Sequence, residues 1–144
     1  MRRLLLIVGA FSALCGTVAA QCLDYEPAVV HLSGTISRRT FPGPPNFQSV
    51  ARGDNLERVW LLRLTQPICV NVADHFDFHE DRQREIQLVL TPESYQRFRH
   101  FVWQRVTATG TLFHAFDGHH HRKLLLTVTE IRGGSRRKLR KGQS

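Results

Sequence analysis

The fold is decided by residues 86–112, which read IQLVLTPESYQRFRHFVWQRVTATGTL. Apolar side chains alternate with polar ones at the start of this stretch and again from Val106 to Leu112, the pattern of half-buried strands. Between the two runs, Thr91-Pro92-Glu93 supplies a capping hydroxyl, a proline for the first helical position and an acid for the first turn. The stretch therefore predicts a strand, a helix and a strand.

Three more strands are predicted outside this stretch. Val30 to Ser37 alternates strictly, whereas Val59 to Val70 is rich in apolar residues, as in a strand covered on both faces. A polar stretch, 71–84, joins the second strand to the third, and Leu124 to Ile131 is the last strand. The order predicts an all-β fold with one short helix, a five-stranded OB-type Greek-key barrel (β-β-β-α-β-β). A small open sheet with one covering helix fits the same pattern.

Both ends of the chain differ from the predicted domain, which covers residues 21–132. Residues 1–20 have two arginines, an apolar run and Val18-Ala19-Ala20 at the end, the pattern of a signal peptide. Residues 133–144 form a basic tail that is predicted to be disordered. The sequence therefore predicts an exported protein.

The charge of the chain is unevenly distributed. The 144 residues carry a formal net charge of +8, but the 13 basic residues between positions 21 and 132 face all 12 acidic ones. A nucleic-acid-binding domain carries its basic surface on the fold itself, so the near-neutral body argues against that function. The tail is interpreted as a solubilising extension, and contact with anionic surfaces of the cell envelope or with a partner is the alternative. The length excludes a catalytic domain of the size of a TIM barrel.

The cysteines agree with export. Cys15 lies in the predicted signal segment, which leaves Cys22 and Cys69 in the mature chain. A pair of cysteines in an exported protein predicts a disulfide. Two unpaired buried thiols are the alternative.

Two loops at one end of the predicted barrel hold the candidate binding residues. OB-type barrels bind ligands with the face of strands two and three and with the loops that join strands one to two and four to five. The candidates in or beside these loops are Phe41, Pro44, Pro45, Asn46 and Phe47 in the first, and His114, His119, His120 and His121 in the second. Prolines restrict the first loop, which lowers the entropic cost of presenting its aromatic rings. We expect the two loops to converge.

Four segments of the chain resemble one family. They are Phe41-Pro-Gly-Pro-Pro-Asn-Phe47, Pro67-Ile-Cys-Val70, Gly110-Thr-Leu-Phe-His114 and Gly118-His-His-His121. Together they are similar to a family of small exported bacterial proteins, domain of unknown function 4431, which has a Thr-Gly-His-His-His-Thr motif. The chain departs from this motif at Asp117 and Arg122. The resemblance implies a bacterial protein that is periplasmic or secreted, and it implies no activity.

The three consecutive histidines have three interpretations. Neutral imidazole binds zinc, copper or nickel, and His114, His119 and His121 are the predicted metal ligands. His114 is included because His120 points away from its two neighbours on an extended segment. Alternatively, the imidazoles bind a polar ligand or titrate near neutral pH. In the third interpretation they hydrogen-bond to the backbone of their own loop.

The register of the last two strands decides how these histidines are arranged. A tight turn at Asp117-Gly118 would place the apolar row of the fourth strand opposite Thr127 and Thr129. Matching the two apolar rows requires a longer loop or a bulge. The longer loop is the expected solution, with the imidazoles in a flexible cluster.

Other side chains give weaker predictions. Asp54 and Glu57 are interpreted as surface carboxylates, with a position facing the histidines across the cleft as the alternative. Trp60 and Trp103 are expected in the core. An acidic cluster is interpreted as a solvated connection, with a cation site as the alternative; its members are Asp74, His75, Asp77, His79, Glu80 and Asp81.

The functional prediction is an exported binding module whose two loops form a cleft for a metal ion, a small polar ligand or a partner protein. A metal-assisted hydrolase that uses the same histidines is the alternative, and a nucleic-acid-binding OB domain ranks third. The sequence contains no nucleophile motif. The oligomeric state is left open.

Overall fold

A computed structural model describes residues 22–72 and 79–134. The predicted signal segment 1–20 and residues 135–144 of the predicted tail lie outside the described residues. So do Asp74, His75 and Asp77 of the acidic cluster.

The helix begins where the sequence predicts. The Thr91 hydroxyl accepts a hydrogen bond from the Ser94 N–H at 3.2 Å, and Pro92 occupies the first turn. Helix α1 (Pro92–Phe98) continues into a 3₁₀ turn (Arg99–Phe101). This segment lies between the third and fourth strands, so the capping signal is confirmed.

Five strands form one mixed sheet that closes in a ring. They are β1 (Val29–Pro42), β2 (Leu56–Val70), β3 (Glu80–Val89), β4 (Arg105–His114) and β5 (Leu124–Gly133). Around the ring the order is β1-β2-β3-β5-β4, and β4 pairs again with β1. Only the β3–β5 pair is parallel among these strands. Because the first strand is bonded on both sides, the alternative of an open sheet is wrong.

Two strands extend further than the sequence predicts. Phe41 and Pro42 belong to β1, where they pair with Glu57 and Leu56, rather than to the loop that follows. Strand β3 begins at Glu80, inside the stretch interpreted as a polar connection. In both cases pairing with β2 extends the ladder beyond the alternating segment.

The apolar rows of β4 and β5 match, as the register argument requires. Leu112 lies opposite Leu126, and a bulge shifts the register between Thr109 and Gly110. At the bulge the backbones approach so closely that a Cβ on Gly110 would overlap the carbonyl oxygen of Thr127. The longer loop is confirmed, since residues 115–123 connect the two strands.

The core fills the inside of the ring and its helix-covered end. Trp60 is 7% exposed and meets Tyr95 of α1 edge to face at 5.0 Å between ring centroids. The largest fully buried side chains of this cluster are Ile36, Leu62, Ile86, Leu88, Leu112, Leu124, Leu126, Val70 and Val106. Trp103 is 62% exposed, so its assignment to the core is wrong. None of the described helices has the length and apolar character needed to span a membrane.

The predicted disulfide is present. Cys22 and Cys69 are bonded, with 4.7 Å between their Cα atoms, and the bond attaches the N-terminal segment to the end of β2. The Leu23 N–H donates to the Cys69 carbonyl at 2.9 Å and continues this attachment. A disulfide is typical of proteins outside the cytoplasm.

Candidate functional site

The loop between β1 and β2, residues 43–55, is built around one carboxylate. Asp54 is 5% exposed, and its two oxygens accept hydrogen bonds from the backbone N–H groups of Asn46, Gln48 and Ser49 at 2.7–2.9 Å, and from the side chain of Asn46 at 3.1 Å. These bonds, led by that from Ser49, lower the pKa of Asp54 to about 2. Asp54 therefore fixes this proline loop. Its interpretation as a surface carboxylate is wrong, and its hydrogen bonds go to its own loop rather than to the histidines.

The loop between β4 and β5, residues 115–123, is fixed by its middle histidine. Nδ1 of His120 accepts hydrogen bonds from the Phe116 N–H at 3.0 Å and the Asp117 N–H at 3.4 Å. The imidazole is only 10% exposed and lies edge-on against Phe113 and Phe116. Of the three interpretations, the structural one describes His120 in this histidine loop.

Glu57 joins the other two histidines. Its Oε1 lies 2.8 Å from Nδ1 of His119, and its Oε2 lies 2.9 Å from Nε2 of His121. The hydrogen bond to Glu57 and the charge of that carboxylate raise the pKa of His119 above its usual value. Glu57 comes from β2, so one carboxylate connects the histidine loop to the sheet.

Aromatic contacts join the histidine loop to the end of β1 and to the proline loop. The rings of Phe41 and His121 are stacked, with centroids 4.4 Å apart and planes 7° from parallel. Phe47 meets His119 edge to face at 5.0 Å. Gly118 passes so close to Phe47 that an added Cβ would lie 2.8 Å from its ring. The expected convergence of the two loops is therefore observed.

Gln87 holds the backbone of the histidine loop, and the sequence analysis missed it. Its Nε2 donates to the His119 carbonyl at 2.9 Å, and its Oε1 accepts from the His121 N–H at 2.7 Å. Gln87 pairs with Leu61 of β2 and Leu125 of β5, and both leucines are fully buried, although neither belongs to the central core cluster. The histidine loop therefore covers the outer face of the sheet at β2, β3 and β5.

Arg122 fastens the end of the histidine loop. Its guanidinium donates to Oε1 of Glu85 at 2.7 and 2.9 Å and to the His121 carbonyl at 2.7 Å, and it lies 5.2 Å from the centre of the Phe41 ring. Glu85 also pairs with Arg39 of β1 at 3.4 Å. The arginine at this flank of the motif thus takes part in a charged network that reaches two strands.

His114 does not lie with His119 and His121. It follows the inward-facing Leu112 by two positions in β4, so its side chain lies on the inner side, where Nδ1 is 3.0 Å from Oε1 of the buried Glu80. Strand alternation is the reason for this separation, because the other two histidines lie over the outer face. The three predicted metal ligands are therefore not brought to one point.

The described residues do not form a preformed site for the predicted metal ion. Among residues 22–72 and 79–134 there is no group of three or more His, Cys, Asp or Glu side chains suited to hold a metal ion. The nearest approach to one is Glu57 with His119 and His121, whose facing atoms already bond to each other. A metal ion there would have to replace these hydrogen bonds.

The ligand-binding candidates occupy different environments. Pro44, Pro45 and Asn46 are exposed, Phe41 and Phe47 are half-buried, and His119 retains 57% of its side-chain exposure. Phe116 precedes His119 by three residues and is 79% exposed. The sequence analysis did not name it as a candidate. The joined loops thus present prolines, an amide, an imidazole and an aromatic ring to solvent.

Part of the chain matches a known protein family. No curated protein matches the chain. Residues 85–132 match a family model described as "Domain of unknown function (DUF4431)". The matched segment contains the helix, β4, β5 and the whole histidine loop. In this part of the chain, the resemblance to the family seen in the sequence is confirmed.

Proposed function

We propose that the protein is an exported binding module whose joined proline and histidine loops recognise a partner protein. The observation that carries this proposal is that Glu57 bridges His119 and His121 while Phe41 stacks on His121. Loops fixed in this way lose little conformational entropy on binding, which favours affinity.

The strand order supports an OB-type architecture. A five-stranded ring in the order β1-β2-β3-β5-β4, with its helix between β3 and β4, has the arrangement that OB-type barrels use. In such barrels the loops that correspond to the proline and histidine loops flank the ligand-binding face. The disulfide and the predicted signal peptide support export to the periplasm or the medium.

The position of the histidine loop favours a protein partner over an oligonucleotide. OB-type barrels bind oligonucleotides on the face of strands two and three. Here Gln87 holds the histidine loop over that face, next to the buried Leu61. What remains accessible is the outer surface of the loops, where aromatic and proline side chains alternate with polar ones. Aromatic side chains are enriched in protein–protein interfaces.

Photo-crosslinking in the producing cells tests the proposal. The photoreactive residue p-benzoylphenylalanine replaces Phe116 or Pro45 in two variants, and Val29, which is 63% exposed on β1, in a matched control. We expect one discrete adduct from both loop positions and none from position 29. Equal adducts from all three positions, or none from the loops, would overturn the proposal.

A further inference from the structure

A second surface of the protein contains an exposed tryptophan. Trp103 follows the 3₁₀ turn and precedes β4, and its side chain is mostly in solvent. Trp60 is buried, so the two tryptophans of the chain occupy opposite environments. An indole left in water has no role in the core of this fold.

The backbone at Trp103 is unfavourable for that residue. Its φ is +68°, a region that glycine and asparagine adopt readily and that bulky residues avoid. The surrounding backbone fixes this conformation, because the Trp103 N–H donates to the Ile36 carbonyl at 2.8 Å and the Ile36 N–H donates to the Gln104 carbonyl at 3.2 Å. Tryptophan at this position therefore costs stability, which indicates that the indole serves another purpose.

Two arginines lie on either side of Thr35, the residue before Ile36, to which the Trp103 backbone is bonded. Arg63 of β2 and Arg105 of β4 are both opposite Thr35 of β1, so they flank it on the same face of the sheet. Both are exposed, and neither takes part in an ion pair within the described parts of the chain. Arg105 is two residues from Trp103. Arg63 lies opposite Glu85 of β3, but that carboxylate pairs with Arg39 and Arg122, so the charges of both exposed arginines stay available to an anionic surface.

The residue that follows β5, Gly134, is bonded to Arg105. The Gly134 N–H donates to the Arg105 carbonyl at 2.8 Å. The sequence that follows, SRRKLRKGQS at 135–144, holds five basic residues and no acidic one. The attachment point of this basic segment therefore lies beside Arg105, two residues along the chain from Trp103.

We propose that Trp103, Arg63 and Arg105 form a docking face for an anionic phospholipid surface. Tryptophan is enriched at the boundary between membrane and water, where its ring lies at the level of the headgroups. Each lysine or arginine near an anionic leaflet adds about fivefold to the affinity.

Vesicle binding by the full chain tests this face. The probes are vesicles of phosphatidylcholine alone and vesicles with one third phosphatidylglycerol, and sedimentation measures binding. Trp103→Gly suits the positive φ, so this variant keeps the fold while it removes the indole. In the native chain we expect binding to the anionic vesicles only, with a blue shift of tryptophan emission that Trp103→Gly abolishes together with most of the binding.

The arginines have a matched control. Arg63→Gln with Arg105→Gln removes two charges from the face, and Arg52→Gln with Arg84→Gln removes two exposed charges elsewhere. We expect the first pair to weaken binding about 25-fold and the second pair less than twofold. Equal effects of the two pairs, unchanged binding of Trp103→Gly, or equal binding to both kinds of vesicle would overturn the proposal. The proposal would also be overturned if these variants bound DNA more weakly but bound vesicles as well as the native chain does.

Discussion

The contact between Gly118 and Phe47 makes a direct test of the joined loops. A Cβ on residue 118 would lie 2.8, 2.9 and 3.0 Å from three carbons of the Phe47 ring, against the 3.5–4.0 Å or so at which carbon atoms attract most. Gly118→Ala therefore forces the ring to shift. Overpacking of this kind costs about 1–3 kcal/mol. Because Phe47 is half-buried and has room to move, we expect a loss near 1 kcal/mol.

The same substitution should have the opposite effect when the ring is absent. Gly118 does not have a positive φ, so alanine is compatible with its backbone. In a Phe47→Ala background, Gly118→Ala should stabilise by about 0.4–1 kcal/mol, since alanine restricts the unfolded chain. The coupling between the two substitutions is therefore about 1.5 kcal/mol.

Urea unfolding of the native chain, both single variants and the double variant measures this coupling. Gly53→Ala is the matched control: Gly53 has a φ of +103° and no neighbour within 4 Å of an added Cβ, so its cost should be equal in both backgrounds. If Gly118→Ala destabilises equally with and without the Phe47 ring, the loops are not in contact and the reasoning fails.

Three further predictions concern single interactions. The pKa of Asp54 is lowered from 3.8 to about 2, so its contribution to stability should be complete above pH 4 and should disappear as the pH falls through 2. Amide exchange in the proline loop should become faster over the same pH range. The pKa of His119 is raised, so Glu57→Gln should cost more stability below pH 6.5 than above the raised value, as urea unfolding at several pH values would show. Equal costs at all pH values would contradict this. Cys22→Ser with Cys69→Ser opens a link across 47 positions and should lower the free energy of unfolding by about 4 kcal/mol in chemical denaturation; a loss below 1 kcal/mol would contradict it.

The features that sequence predicted well depend on neighbours in the chain. The Thr91 cap and the helix start are local, because each bond joins residues within one turn. The alternation in β4 and β5 also narrowed their pairing, since a shift of one residue would turn the apolar row of one strand to the outer face. This argument required a longer loop or a bulge, and the structure contains both.

The features that sequence missed depend on contacts across strands. Gln87 looks like an ordinary surface residue until β2 and β5 are paired on either side of it. Asp54 and Glu57 looked equivalent as nearby carboxylates. Pairing in β2 places Glu57 opposite Phe41, whereas Asp54 stays in the loop and binds its own backbone.

Trp103 shows a different limit of sequence analysis. Its neighbours Val102 and Gln104 continue an ordinary mixture of apolar and polar residues, and nothing in the sequence signals a positive φ. Hydrophobicity alone assigned it to the core. The turn between the helix and β4 instead directs the indole to solvent, which is a tertiary effect.

Nuclear Overhauser spectroscopy of the folded protein gives the most direct measurement of the joined loops. The rings of Phe41 and His121 are stacked with centroids 4.4 Å apart, so their protons should give strong cross-peaks at neutral pH. If spectra with both rings assigned lack these cross-peaks, the histidine loop does not lie against β1, and the recognition surface proposed here does not exist in solution.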